Sequence, residues 1–169
     1  MEFFKVLTRS SRTKNQCDRC KAKKDIMEVH IQLINNKIKL KNKQSIHFEL
    51  GTTIVGQCGF LISKILYTKK SYNKNFIVLD SGMNNLIRPA LYNSKHKISN
   101  ISSRSNKIEA YDIVGPICES TDTFARDYEM VESKRGDLVV IYSCGAYAES
   151  MSSNYNLRDN IKSYFSDTI

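Results

Sequence analysis

The chain has 169 residues, 41% of them hydrophobic and 25% charged, which is the length of one domain with one core and a composition outside the disordered, fibrous and membrane classes. Its longest apolar stretch, Cys58 to Leu66, is broken by Ser63 and Lys64 and falls well short of the roughly 18–20 residues a membrane span needs; the N-terminal MEFFKVLTRSSRTKN puts its apolar residues before its charges, unlike a secretion signal, so a soluble cytoplasmic protein is expected. The net charge of +9 is concentrated in residues 1–45, which hold 12 Lys and Arg against 4 Asp and Glu, while the remaining 124 residues hold 14 against 13.

Residues 1–24 lack apolar periodicity and are rich in Lys, Arg, Ser and Asn, so they are read as a basic leader without packed structure. A nucleic-acid surface would carry its excess charge across the body, and the basic run Arg19–Lys24 has no interleaved aromatic on which a base could stack. Nucleic acid is therefore not the expected partner. The five cysteines, Cys17, Cys20, Cys58, Cys118 and Cys144, are scattered and do not suggest a disulfide framework. Cys17 and Cys20 form one C-x-x-C without a second pair, with His30 the nearest His; half a zinc site is no site, and two incidental thiols is the simpler reading.

From Asp25, a plausible N-cap, Ile26, Val29, Leu33 and Ile34 follow at helical spacing until Asn35-Asn36, which predicts a short helix. Alternation at Ile38 and Leu40, then at Ile46 and Phe48, predicts strand. Beyond Gly51 the chain reads as β-rich. The segments TIVGQCGFLISKILYTKK and KNFIVLD, then Lys95–Ser102, Lys107–Val114 and LVVIYSCGAY, carry the β-branched and aromatic residues of strands, while Met83–Tyr92 with Pro89 reads as an irregular turn with a helical piece. Strands without regular intervening helices predict a mainly β domain over 51–169, an antiparallel barrel or sandwich, preceded by residues 25–50.

Three segments have the residue types of a site. In GPICESTD, Gly115–Asp122, a Cys, a Glu and an Asp follow a strand-ending turn; Cys118 is either an acid or nucleophile or a small buried hydrophobe. In LIRPALY the fork of Arg88 beside Pro89 suits a carboxylate or phosphate, or serves as structural hydrogen-bonding. CGAYAESMSSNYN, Cys144–Asn156, combines small residues with Tyr147 and Tyr155, which suits a close ligand approach or a plain tight turn.

Taken in order, HFELGTTIVGQCGFLISKILY, NFIVLDSGMNNLIRPALY, VGPICESTDTFARD and GDLVVIYSCGAYAESMSSNYN resemble the C-terminal part of the diaminopimelate decarboxylases, pyridoxal-phosphate enzymes of the alanine-racemase-like fold. The likeness spans about His47 to Asn156. Ornithine-type relatives usually carry Cys-Asp in the third block and lack the N-L-I-R-P-A-L-Y string, so Cys118-Glu119-Ser120 with Arg88–Tyr92 favours the diaminopimelate group. The resemblance implies that Arg88 and Tyr92 contact a substrate carboxylate, that Cys118 donates a proton in the neighbouring subunit's site, and that Glu119 binds the distal end of the substrate. It implies that Tyr147 binds cofactor phosphate and substrate, that Glu49 and Gly51 border the cofactor, that residues 25–50 are a remnant of the end of the (β/α) barrel, and that intact relatives are homodimers.

Two positions depart from the pattern. Where the family reads E-P-G-R, this chain has Glu49-Leu50-Gly51-Thr52, and the Gly after A-Y is Ala148; threonine cannot replace the lost fork, and the extra methyl would crowd the cofactor approach. The lysine that holds the family's cofactor, with its histidine and glycine-rich phosphate loop, belongs to a barrel half upstream, and nothing before His47 resembles it. The expectation is a domain that does not bind pyridoxal phosphate covalently or decarboxylate by itself, completed by a separate barrel-encoding chain or left as a gene remnant. A non-catalytic dimerisation or polyanion-binding module is the alternative.

Overall fold

The structure, a computed structural model, describes residues 5–8, 32, 52 and 55–165. Two compact units divide the chain, residues 1–9 with 51–169 and residues 10–50. Of the helix expected from Asp25 only Gln32 is described, and it is helical; the alternation at Ile38–Phe48, Cys17, Cys20, Glu49 and Gly51 lie outside the described residues.

The first unit is mainly β: β1 (Lys5–Thr8), β2 (Gly59–Lys70), β3 (Asn75–Leu79), α1 (Arg88–Tyr92), β4 (Ile98–Asn100), β5 (Ile108–Val114), β6 (Thr123–Val131), β7 (Leu138–Tyr142) and β8 (Ser163–Phe165). The sheet runs β4-β7-β2-β3-β5-β6 and nearly closes, because the edges β4 and β6 approach one another. There the Tyr128 hydroxyl accepts the Ile98 N–H at 2.8 Å and donates to the Ile98 carbonyl at 3.1 Å.

Strand β2 organises this arrangement. Its first half pairs antiparallel with β7, Phe60 opposite Tyr142 through Lys64 opposite Leu138, and its second half pairs antiparallel with β3, Ile65 opposite Leu79 through Lys70 opposite Asn75. Leu61, Ser63 and Ile65 point inward and are almost fully buried, the period-2 pattern of a half-buried strand. They join Ile77, Leu79, Ile113 and Ile141 in one core. Ser63 is the polar member of that row, and its hydroxyl donates to Asp80 Oδ1 at 2.5 Å and accepts from the Ser81 hydroxyl at 2.5 Å, so no buried donor is lost there.

Three features differ from the expectation. Lys5–Thr8, inside the stretch read as lacking packed structure, pairs antiparallel with β2 and parallel with β8; a backbone ladder needs no apolar periodicity in the strand that joins it. The sheet is not wholly antiparallel, since β3 and β5 run parallel, Phe76 opposite Asp112 through Val78 opposite Val114. Between them the chain passes through α1 and β4, the long crossover a parallel pair demands. Strand β6 was not anticipated at all. Its alternation is interrupted at Asp127, whose φ is 47° at a register break in the β5–β6 ladder.

Candidate functional site

Strand direction gathers the three segments singled out in the sequence. Strands β3 and β7 both run antiparallel to β2, and β5 runs parallel to β3, so β3, β5 and β7 point the same way. Their C-terminal loops carry Arg88, Cys118 and Tyr147 respectively.

After β3, the turn Ser81–Ile87 is almost fully buried at Ser81, Asn84, Asn85 and Leu86 and feeds α1, which has Pro89 in its first turn, Asn93 as a left-handed C-cap at φ 51°, and packs against β6. Proline is tolerated there because the first-turn N–H has no intrahelical partner anyway. The helix sets Arg88 beneath Tyr92, with the guanidinium carbon 5.3 Å from that ring centroid. The same guanidinium is 5.7 Å from the Tyr147 ring, contributed by the loop after β7. Both rings are about half exposed. Arg88, Tyr92 and Tyr147 thus form a cation held by two aromatic faces at the surface, an arrangement worth about 0.5–1 kcal/mol per exposed contact.

The loop after β7 is fixed from below. Cys144 and Gly145 donate their N–H groups to the carbonyls of Gly59 and Gly56, each at 2.9 Å, and a Cβ on Gly59 would lie 2.5 Å from Gly145 Cα. Glycine is required at both positions for this approach. Tyr147 then takes a left-handed φ of 61°, which costs a residue with a Cβ about 1–2 kcal/mol and turns its ring outward toward Arg88. The neighbouring Ala148 has an ordinary helical backbone and is 3% exposed in the core, so its methyl is taken up by packing. Cys144 is buried too, its thiol donating to the Ile141 carbonyl at 3.3 Å, and burial pushes its pKa up to about 12.

The loop after β5 turns Cys118 and Glu119 out to solvent, so Cys118 is not the small buried hydrophobe that its residue type also allowed. Glu119 Oε1 accepts the Thr121 N–H at 3.3 Å and the Ser120 hydroxyl at 3.2 Å, and these donors, the Thr121 N–H foremost, hold its carboxyl below the usual range. An ionised carboxylate therefore stands beside an accessible thiol. Thr52 is also exposed. Sequence reasoning named Asp122 only as part of its block, yet it is the residue that secures this loop. It is 3% exposed, accepting the Met83 N–H at 2.7 Å on Oδ1 and the Ile117 N–H at 2.7 Å on Oδ2.

A separate hollow of about 380 Å³ opens by the β2–β3 turn, lined by residues including Tyr72, Lys74, Glu109, Asp112 and Asp127. Within it Lys74 Nζ lies 2.9 Å from Asp112 and 3.5 Å from Asp127. Among the described residues no cluster of His, Cys, Asp and Glu could hold a metal ion, and no helix is long and apolar enough to cross a membrane.

A nearly closed β sheet with an arginine, two tyrosines and an exposed Cys-Glu pair on successive strand-end loops matches a known domain type. Residues 13–145 match the family described as pyridoxal-dependent decarboxylase, C-terminal sheet domain; the chain belongs to this family, whose cofactor is pyridoxal phosphate. Within it, the chain is 53% identical over 132 residues to a diaminopimelate decarboxylase of Bacteroides thetaiotaomicron, covering 78% of this chain and 34% of the relative. It is 40% identical over 141 residues to that of Aquifex aeolicus, covering 83% and 32%. The solved diaminopimelate decarboxylase of M. jannaschii in complex with L-lysine superimposes with a TM-score of 0.68 at 32% identity, over 84% of this chain and 32% of that one. The chain spans about a third of the length of the curated relatives it matches.

Proposed function

We propose that this chain is the C-terminal portion of a diaminopimelate decarboxylase, which forms lysine and carbon dioxide from meso-2,6-diaminopimelate when joined by a barrel half that carries the cofactor's lysine. The observation that carries this reading is the convergence of Arg88, Tyr92 and Tyr147 on one exposed surface. It is supported by relatives named diaminopimelate decarboxylase at 40–53% identity and by solved relatives in complex with L-lysine, a ligand with one carboxylate and a distal amine.

The donor set suits both anions of the chemistry. The Arg88 fork can take a substrate carboxylate with two parallel hydrogen bonds, and the Tyr92 and Tyr147 phenols can add single donors to a carboxylate or a phosphate. Pyridoxal phosphate, when bound, supplies the electron sink for the pair released as carbon dioxide leaves. Tyr147 is the described residue that would meet its phosphate, with Glu49 and Gly51 as further neighbours. Cys118, exposed on its loop, hands a proton to the carbon that has lost its carboxylate. Glu119, held ionised by its backbone and hydroxyl donors, pairs with the ammonium at the far end of the substrate. Because Cys118 and Glu119 face outward, they are suited to reach a neighbouring subunit's site, and a homodimer is the assembly proposed.

The test is reconstitution. This chain, co-expressed with the N-terminal two thirds of the Bacteroides relative and supplied with pyridoxal phosphate, is expected to release lysine, whereas the chain alone releases none. Cys118→Ala should lower the rate of the pair by about 10²–10⁴, and Thr52→Arg should raise it. A stable, cofactor-loaded pair that forms no lysine, or one indifferent to Cys118→Ala, would overturn the assignment.

A further inference from the structure

We propose that Asp122 is a positioning residue: its carboxylate clasps the loop that delivers Arg88 to the loop that delivers Cys118, and so holds each of them in place on the sheet. The clasp is built from four backbone contacts. Oδ1 accepts from Met83 N–H and Oδ2 from Ile117 N–H, each at 2.7 Å, while the Asp122 carbonyl accepts from Gly115 N–H and its own N–H donates to the Glu119 carbonyl, each at 3.0 Å. Met83 begins the stretch that ends in Arg88, and Ile117 immediately precedes Cys118.

The surroundings are shaped around this carboxylate. A Cβ at Gly115 would overlap it, and one at Gly82 would lie 3.1 Å from Oδ2 and 2.8 Å from the Ile117 side chain, so two glycines make room for one acid. Burial disfavours its charge and pushes its carboxyl up, against the pull of the Ile117 and Met83 N–H groups. A buried amide would serve a single loop at lower desolvation cost. Only a carboxylate presents an acceptor to both N–H groups at once; in Asp122→Asn one of them faces an NH₂ and is left unbonded. The catalytic meaning of the clasp rests on the function proposed above, while the clasp itself does not.

Amide exchange and site-resolved alkylation on the full chain test it. In the wild-type chain the Met83 and Ile117 amides are expected to be protected together, at least about tenfold beyond exposed amides of the same loops. Asp122→Asn should speed exchange at one or both by about tenfold and alter the alkylation rate of Cys118, with Cys144 still unreactive and the amides of β3 unchanged. Unprotected Met83 or Ile117 in the wild-type chain overturns the clasp, a reading that survives even if the variant does not fold. So does a variant in which β3, β7 and Cys144 open together with the loops, which would mark a role in folding alone. In the reconstituted pair, Asp122→Asn should raise KM and lower kcat together, since both loops shift, whereas Cys118→Ala lowers kcat; unchanged kinetics would remove the positioning role. If the wild-type pair makes no lysine, the functional reading falls, and the exchange data still decide the clasp.

Discussion

Arg88 is held by rings: Tyr92 and Tyr147 flank it at 5.3 and 5.7 Å, which orients a planar fork without neutralising it. Arg88→Lys keeps the charge and loses the fork, so KM in the reconstituted pair should rise roughly ten- to hundredfold with the fold intact by circular dichroism. The two cysteines of the site loops should separate cleanly. At pH 8 Cys118, exposed, reacts with iodoacetamide, and Cys144, buried with its pKa near 12, stays unmodified until the chain unfolds. Asp112 gives the pH dependence. Burial opposes its charge, but the Asp127 N–H at 2.8 Å and Lys74 at 2.9 Å outweigh that and hold its carboxyl below the usual range. Its contribution is therefore present above the unfolded carboxyl's pKa of about 4 and lost as pH falls below that through the folded value. Urea denaturation should find Asp112→Asn about 1–2 kcal/mol less stable at pH 7, the gap closing as pH falls through the folded value. At this scale residue type and block order were enough to single out Arg88, Tyr92, Cys118 and Tyr147, and the structure brings Arg88 against the Tyr92 and Tyr147 rings and leaves Cys118 exposed. Asp122 was not legible, because accepting from Met83 and Ile117 depends on a fold that brings two distant loops together.

Strands β2, β3, β4, β5 and β7 were readable from their β-branched, aromatic and apolar residues, and the helical piece from Pro89, because each answers to local chemistry. Strand β6 was not, since the FARDYEMV run places Arg126 and Asp127 in solvent and breaks register opposite Tyr111–Ile113; nor was the parallel β3–β5 pair, which depends on where a crossover lands. The seam closed by the Tyr128 hydroxyl makes a sharp test. Tyr128→Phe removes both bonds to Ile98 and should cost about 1–2 kcal/mol, with faster exchange at the Ile98 amide while β2 and β7 stay protected. At the Gly59–Gly145 contact the expectation is larger. Gly145→Ala would drive a methyl into the Val55 carbonyl and the Gly59 N–H, lowering the thermal midpoint by an overpacking cost of about 1–3 kcal/mol or more and moving the Tyr147 loop with it.

For the whole molecule, the family model and the relatives match this chain over a sheet domain that is about a third of their length, and the activity proposed for it is that of an assembly. The sheet order also has a consequence for how the chain is made. Strand β2 leaves the ribosome before the partner of its first half, Leu138–Tyr142, which is synthesised only after β3, β4, β5 and β6. Until then Phe60–Lys64 has one ladder edge waiting on residues not yet made, and pairings of such sequence separation form slowly. A chain stopped at Arg135 should consequently accumulate as insoluble material, its waiting edge open to other copies, while one carried past Ile161, which packs on the core, should be recovered folded. The order of synthesis thus leaves β2, the strand on which the sheet is built, among the last to be secured.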